Sequence, residues 1–271
     1  MPRVSARDNP RLVEAARLVA SSRDRRKRGK CVLEGGHLVG VYLDRVGVPE
    51  TLLVVEERAH ETEIAALVAR VPSRDVLVMR ASLFADTVVA PADIAVAAVV
   101  PTPAPAIPPS ARFHLLLEDV QDPGNVGTSL RTAAAAGVDQ VLLSRQCAFA
   151  WSPKVLRAGQ GAHFATTIVE DVDLVAWTAA FAARNGEVIA TTPRDATMLY
   201  DAKLREPWAV MVGNEGAGLS GALLGRATRR VSIPMHEGTE SLNAAAAAAV
   251  VLFELVRRRE SSQLGRKSNE K

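Results

Sequence analysis

Three stretches in the second half of the chain carry residue types that could do chemistry. The first, "GNEGAGLS" at 213–220, follows an apolar run at Trp208–Val212 and sets Gly213, Gly216 and Gly218 around Glu215. A phosphate-binding loop of the G-x-x-x-x-G-K-[ST] kind gives a lysine to the phosphates. Here the only ionisable group is an anion, which would repel a polyphosphate. The glycines therefore read as positions needing unusual torsions or close approach to a ligand without phosphate. The second stretch, "LEDVQDPGNVGTSLRTAAAAGVDQVLLS" at 117–144, runs from a strand through a turn into a helix that Asn125 can cap with its side-chain oxygen. That helix is small and apolar apart from Arg131. A lone guanidinium near a strand end suits an anion, because its rigid fork matches phosphate. The third, "SIPMHEGTESLNAAAAAAVVLFEL" at 232–255, ends a strand at Ile233–Pro234 and opens an alanine-rich helix with Ser241 as its N-cap candidate. Those alanines let another backbone approach closely, in an internal contact or a subunit interface.

Regularly alternating elements must hold these loops in place. Strands are expected at Phe113–Glu118, Gln140–Leu143, Glu187–Thr191, Trp208–Val212 and Arg230–Ile233, and helices at Val126–Ala136, Leu174–Asn185 and Ser241–Arg259. Strand–helix–strand order predicts a parallel sheet covered on both faces, with ligands at the carboxyl ends of its strands. The five prolines within 101–109 forbid a helix, so 101–112 reads as a semi-rigid linker. Before it, residues 1–100 form a smaller α/β unit. It has a helix at Asn9–Ala20, a basic turn, helical spacing through "CVLEGGHLVGVYLDRVG", strands at Thr51–Val55, Val76–Met79 and Ile94–Val100, and a helix at Glu61–Val71. Residues 261–271 read as a flexible tail.

Composition narrows the function classes. A chain of 271 residues, 48% hydrophobic and 23% charged, is ordinary globular material with room for two domains. It contains no run suited to a membrane span and opens on no signal-peptide pattern, so a cytoplasmic protein is expected. Cys31 and Cys147 make neither a C-x-x-C pair nor a disulfide framework, and His37, His60, His114, His163 and His236 lack zinc-ligand spacing, so no metal is expected. Net charge is only +3, but residues 1–30 hold ten Lys/Arg against Asp8, Glu14 and Asp24. The run at 21–30 is open to two readings: a solvated helix end, or the footprint of an arm that binds a polyanion.

Together, in this order, the three stretches resemble the SpoU/TrmH family of RNA ribose methyltransferases within the SPOUT superfamily. Asn125, Gly127, Arg131 and Thr132 match its first motif, "GNEGAGLS" its second, and "IPM" (233–235) with "ESLN" (240–243) its third. The likeness covers 113 to about 257, and the opening segment "DNPRLVEAARLVASSRDRRKRGKCVLEG" is similar to the substrate-binding domain preceding many of these enzymes. The resemblance implies an α/β domain with a parallel sheet and a C-terminal trefoil knot, preceded by a smaller α/β RNA-binding domain. The knot comes from the resemblance alone, since threaded chains are rare exceptions to ordinary connectivity.

It further implies S-adenosylmethionine as cofactor, with Thr191, Gly213, Asn214, Gly218, Ile233, Met235 and Leu242 around it. Arg131, Asn125, Glu215, Ser241 and Asn243 are then the catalytic set. Arg25, Arg26, Lys27, Arg28, Lys30, Lys154 and Arg157 are candidate RNA contacts. A homodimer is expected, acting on ribosomal RNA with transfer RNA as the alternative. In "SPKVLRAGQGAHF" (152–164), Gly159 stands where the family often has serine. A non-catalytic RNA-binding relative could lose the arginine or the SLN triplet; both are present here. A dinucleotide-dependent dehydrogenase would need G-x-G-x-x-G opening the first helix of a βαβ unit, which "DPGNVGTSLRTA" does not supply.

Overall fold

The computed structural model describes residues 3–88, 93–103, 110–193, 195–239 and 241–269. Half of the proline-rich linker (104–109) and Glu240 lie outside them. The chain packs as two compact units, 1–104 together with 151–165, and 105–150 together with 166–271.

In the first unit, α1 (Pro10–Ala20) is capped by Asn9, whose side chain accepts from the N–H of Arg11, and buries Leu12, Ala15, Leu18 and Val19 on one face. The basic run forms a separate helix and not the expected turn. This is α2 (Ser22–Arg28), capped by Ser21 at its start and closed by Gly29 in the left-handed region at φ 59°. The segment read as wholly helical divides into β1 (Lys30–Glu34) and α3 (Gly36–Arg45). The chain continues through β2 (Thr51–Val55), α4 (Thr62–Ala69), β3 (Val76–Met79), α5 (Ala81–Thr87) and β4 (Val96–Pro101). The sheet order is β1-β4-β2-β3, with β4 antiparallel to both neighbours and β2 parallel to β3. Helix α7 (Pro153–Gly159) belongs to this unit, although its sequence position lies among the elements of the second. Burial of Val155 and Leu156 and an ion pair from Arg157 to the buried Glu34 hold it there.

The second unit carries β5 (Phe113–Leu117), α6 (Pro123–Ala135), β6 (Gln140–Leu143), β7 (Thr167–Val169), α8 (Leu174–Ala182), β8 (Glu187–Thr191), β9 (Thr197–Met198), β10 (Trp208–Val212), α9 (Gly221–Leu224), β11 (Arg229–Ser232) and α10 (Ala244–Asn269). All seven strands are parallel, in the order β7-β6-β5-β10-β8-β11-β9. The central strands β5 and β10 are buried at every position, as expected for a sheet covered on both faces. Leu116, Leu142, Val188, Ala209 and Met211 form one core layer with Leu174 and Phe181 of α8 and Leu223 of α9. Helix α10 buries Ala244, Ala245, Ala248, Val251, Leu252 and Leu255 and continues to Asn269, through the stretch expected to be a tail.

Candidate functional site

The three chemistry-bearing loops meet at the carboxyl ends of β5, β8, β10 and β11. The glycine loop closes on itself, because Asn214 and Gly218 exchange both backbone hydrogen bonds, at 3.1 and 2.9 Å. The Asn214 side chain completes the turn. Its Oδ1 accepts from the N–H groups of Gly216 and Ala217 at 2.9 and 3.0 Å, and its Nδ2 donates to the Asp119 carbonyl at 2.8 Å. Gly218 adopts φ 69°, where only glycine is unstrained. Gly213 is required for a different reason: a Cβ there would lie 2.2 Å from the Gly218 carbonyl carbon. The close approach expected at Gly213 is therefore made by its own loop.

Two capping assignments change. Asp122, not Asn125, caps α6, its side chain accepting from the Asn125 N–H at 2.8 Å. At the start of α10 the cap is Asn243, not Ser241, with Oδ1 accepting from Ala245 and Ala246 at 2.9 and 3.2 Å. Ser241 is exposed and makes no hydrogen bond to a described residue.

Those caps fix the direction of a chain of hydrogen bonds joining all three motifs. Because Asn243 Oδ1 faces backbone donors, its Nδ2 must donate, and it does so to Asn125 Oδ1 at 2.8 Å. Asn125 Nδ2 is thereby turned to Glu215, donating to Oε1 at 2.9 Å. The Glu215 carboxylate also accepts from the N–H groups of Gln121 and Asp122 at 3.3 and 3.2 Å. Every partner of Glu215 is a donor, so the arrangement requires its ionised form. Partial burial opposes that charge, but the bonds from Asn125 and the backbone outweigh it and hold the carboxyl below the usual range.

A carboxyl with a lowered folded pKa contributes stability above its unfolded value, about 4.3, and that stability is lost as pH falls through the folded pKa. Glu215→Gln should remove this component of acid sensitivity, read as a smaller drop in Tm between roughly pH 5 and 3 than the parent shows.

Beside this chain lies a cavity of about 780 Å³, lined by Thr191, Gly213, Asn214, Gly218, Ile233, Met235 and Leu242, with Glu215 and Ser241 also at its wall. Among the described residues, neither Arg131 nor any other Arg or Lys lines it. Thr191 ties β8 to β10 here, donating to the Met211 carbonyl at 2.9 Å. The lining fits a ligand that is cationic or neutral where it meets Glu215 and read elsewhere by backbone groups. A polyphosphate would find no charge partner among the described lining residues.

Arg131 is not part of the hydrogen-bonded chain. It is exposed and bonds to no described residue. Six residues separate it from Asn125 on α6, which puts it about 120° around the helix and ~9 Å along it. Among the candidate RNA contacts, Arg25 is turned inward, donating to the carbonyls of Leu18 and Val19 at the end of α1. Lys30 pairs with Glu14 and Glu50, and Arg157 pairs with Glu34. Arg26, Lys27, Arg28 and Lys154 are exposed, with Arg28 3.4 Å from Glu14.

Residues that shape the site without a motif were not foreseen. Asp119 sits at φ 54° and its N–H donates to Ser144 Oγ at 2.9 Å, while Ser144 Oγ donates to its carboxylate at 2.5 Å. Glu118 accepts from the Ser220 N–H at 2.7 Å. Aspartate tolerates positive φ, but nothing in the local sequence marks either contact.

A parallel sheet with its cavity at the strand carboxyl ends, walled by a glycine loop, defines an α/β ligand-binding domain of the kind found in cofactor-dependent enzymes. The SpoU rRNA Methylase family model matches residues 112–253. A Bacillus subtilis 23S rRNA (guanosine(2553)-2′-O)-methyltransferase, RlmP, is 32% identical over 235 residues, covering 87% of this chain and 92% of that protein. An uncharacterized tRNA/rRNA methyltransferase of Synechocystis is 41% identical over 147 residues, and that match spans 54% of each protein. Among solved structures, the SpoU methyltransferase AviRb from Streptomyces viridochromogenes in complex with AdoMet superposes with a TM-score of 0.83 at 27% identity, over 93% of this chain and 99% of that one. The chain belongs to the SpoU rRNA methylase family.

Proposed function

We propose that this chain is an S-adenosylmethionine-dependent methyltransferase that modifies a ribose 2′-hydroxyl in structured RNA, with large-subunit ribosomal RNA the favoured substrate and transfer RNA the alternative. The observation that carries the proposal is the hydrogen-bonded chain Glu215–Asn125–Asn243, which joins the three family motifs beside a cavity that no cationic side chain of the described residues lines. The 23S rRNA 2′-O-methyltransferase among the relatives and the AdoMet-bound neighbour support the substrate and the cofactor.

When bound, the cofactor supplies an electrophilic methyl group on a sulfonium. Gly213, Asn214, Gly218, Ile233, Met235, Leu242 and Thr191 would hold it, with Glu215 providing the negative field a cation favours. Asn125 and Asn243 keep that carboxylate ionised and the loops in register, and Ser241 extends the polar wall. Arg131 orients the phosphate and the 2′-hydroxyl and takes up the hydroxyl proton in the closed complex. In water the side chain is a guanidinium with every nitrogen position protonated and no acceptor, so proton uptake needs a substrate-bound site in which it has first given up a proton.

The finer fold reading is a trefoil knot in the last part of the chain, supported by β10 lying between β5 and β8. A homodimer is supported by the exposed Phe253, 48% accessible, beside Ala246 and Ala249 on α10. Cytoplasmic location remains part of the proposal; among the described residues no helix is long and apolar enough to cross a membrane. Likewise no group of three or more His, Cys, Asp or Glu among them could hold a metal ion.

The first unit is read as the RNA-holding domain, through Arg26, Lys27, Arg28 and Lys154. Four such phosphate contacts would give a log–log salt slope near −3 to −4, about −0.7 to −0.9 per contact. Replacing Arg26, Lys27 and Arg28 with Gln should flatten that slope by about 2–3; an unchanged slope would remove this unit from RNA binding. Deleting residues 1–100 is the poorer test, because it strips the partners from buried Val155 and Leu156 of α7. Mapping 2′-O-methyl positions in total RNA from cells with and without the gene identifies the target. A site lost from ribosomal RNA supports the favoured substrate, and one lost from transfer RNA selects the alternative.

A further inference from the structure

The amino ends of the strands in the second unit carry a second charged feature, which the cofactor site does not use. Arg112 precedes β5, Arg184 precedes β8, Arg205 precedes β10, Arg226 leads into β11, and Arg229 and Arg230 open it. All six are exposed. The order β5-β10-β8-β11 makes these strands consecutive neighbours, so Arg112, Arg184, Arg205 and Arg226 precede strands that together span about 15 Å at ~4.8 Å per strand, while Arg229 and Arg230 stand level with Ile189 and Ala190, farther along β8.

Contacts tie Arg112, Arg205 and Arg229 to the starts of these strands. Glu187 at the start of β8 accepts from the Arg205 N–H at 2.5 Å and pairs with Arg229 Nε at 3.2 Å. The Trp208 N–H donates to the Arg112 carbonyl at 2.8 Å, and Arg112 lies 3.7 Å from Glu206.

An exposed arginine is ordinarily a solvated surface group, and what distinguishes this edge is the shortage of carboxylates to balance it. Glu187 is itself buried and engaged with Arg229. Asp139 is spent on the N–H groups of Arg112 and Phe113, at 2.7 and 2.9 Å. Arg205 and Arg226 form no ion pair with a described residue, and Arg184 reaches only the Ala180 carbonyl of its own helix. At the other end of the same strands, about 17 Å away for five residues, stand Glu118, Asp119, Asp122 and Glu215. Among the described residues, carboxylates thus gather at the carboxyl ends of β5 and β10, and arginines precede the amino ends.

We infer that this arginine edge is a second RNA-backbone contact surface, separate from the cofactor cavity and from the basic helix α2. The inference rests on the reading of the protein as an RNA methyltransferase. RNA is the partner because the residues are all arginines, whose fork matches phosphate oxygens bidentately. Their spacing across neighbouring strands also presents a row of cations, not a single anion pocket. Contacts of this kind position an RNA without reading its sequence. They would let a large folded RNA be gripped by the catalytic unit itself.

The test replaces Arg184, Arg205 and Arg226 together with Gln, and in a second variant with Lys, in the full-length protein. Binding to transcribed large-subunit ribosomal RNA is measured across a salt series, beside cofactor calorimetry and methylation at saturating RNA. The Gln variant is expected to bind RNA roughly tenfold or more weakly near 0.15 M salt, with a slope flattened by about 2–3. Its cofactor affinity and its rate at saturating RNA should stay at the parent values, and the Lys variant should recover most of the salt dependence. A Gln variant that folds and matches the parent in affinity and slope would overturn this surface alone. A parent protein that neither binds nor methylates RNA would overturn the functional reading, and this inference with it.

Discussion

An Arg131→Ala enzyme is expected to take up S-adenosylmethionine as its parent does and to methylate RNA about 10²–10⁴-fold more slowly, the range that general acid–base groups contribute. The separation of the two effects follows from where Arg131 stands. It lies outside the cofactor cavity, is exposed, and holds no described residue in place, so its removal leaves the fold and the cavity lining intact. What disappears is the one guanidinium on a helix otherwise made of small and apolar residues. Arg131→Lys keeps a charge but not the planar fork, so partial recovery of substrate affinity with little recovery of kcat is expected. Single-turnover rates at saturating cofactor, beside calorimetry of cofactor binding, distinguish these outcomes. A wild-type rate in the Ala variant would remove Arg131 from the chemistry.

Gly213→Val is expected to abolish cofactor binding, and even Gly213→Ala to weaken it on the order of 10²-fold, because overpacked backbone has no rotamer to give. The new Cβ would meet Gly218 carbonyl carbon at 2.2 Å and the Leu219 nitrogen at 2.3 Å. Relief requires opening the Asn214–Gly218 turn, which forms part of the cavity wall and positions Glu215 between them. Loss of affinity should therefore be accompanied by a lower Tm, whereas a side chain intruding only on ligand space would leave Tm unchanged. Calorimetry and thermal melts on the Ala variant provide the check; parent-like values for both would contradict this geometry.

The elements easiest to foresee were the buried parallel strands. The run "WAVMV" is apolar throughout because both faces of its sheet are covered, and it lies where expected. The short outer strands β7 and β9, of three and two residues, gave no periodicity to detect. Helix α2 was obscured by its charge, although Ser21 and Gly29 mark its two ends. At the site, the motifs placed Asn125, Glu215 and Asn243 together in expectation, but their hydrogen-bond roles depended on partners about 90 and 118 residues away. The caps illustrate this: Asn125 and Ser241 each looked suited to the task, and tertiary contacts assigned it to Asp122 and Asn243 instead. The docking of α7 in the first unit was equally hidden, since the pair Arg157–Glu34 spans 123 positions.

The most direct test of the central claim is the destination of the methyl group. Purified protein is incubated with methyl-labelled S-adenosylmethionine and transcribed large-subunit ribosomal RNA, with transfer RNA in parallel. The RNA is then digested to nucleosides and the labelled product identified by mass spectrometry. The expected result is label on the ribose 2′-oxygen of a single nucleotide, appearing about 10²–10⁴-fold more slowly in the Arg131→Ala reaction. Label on a base, or RNA left unlabelled by a protein that binds the cofactor, would contradict the account.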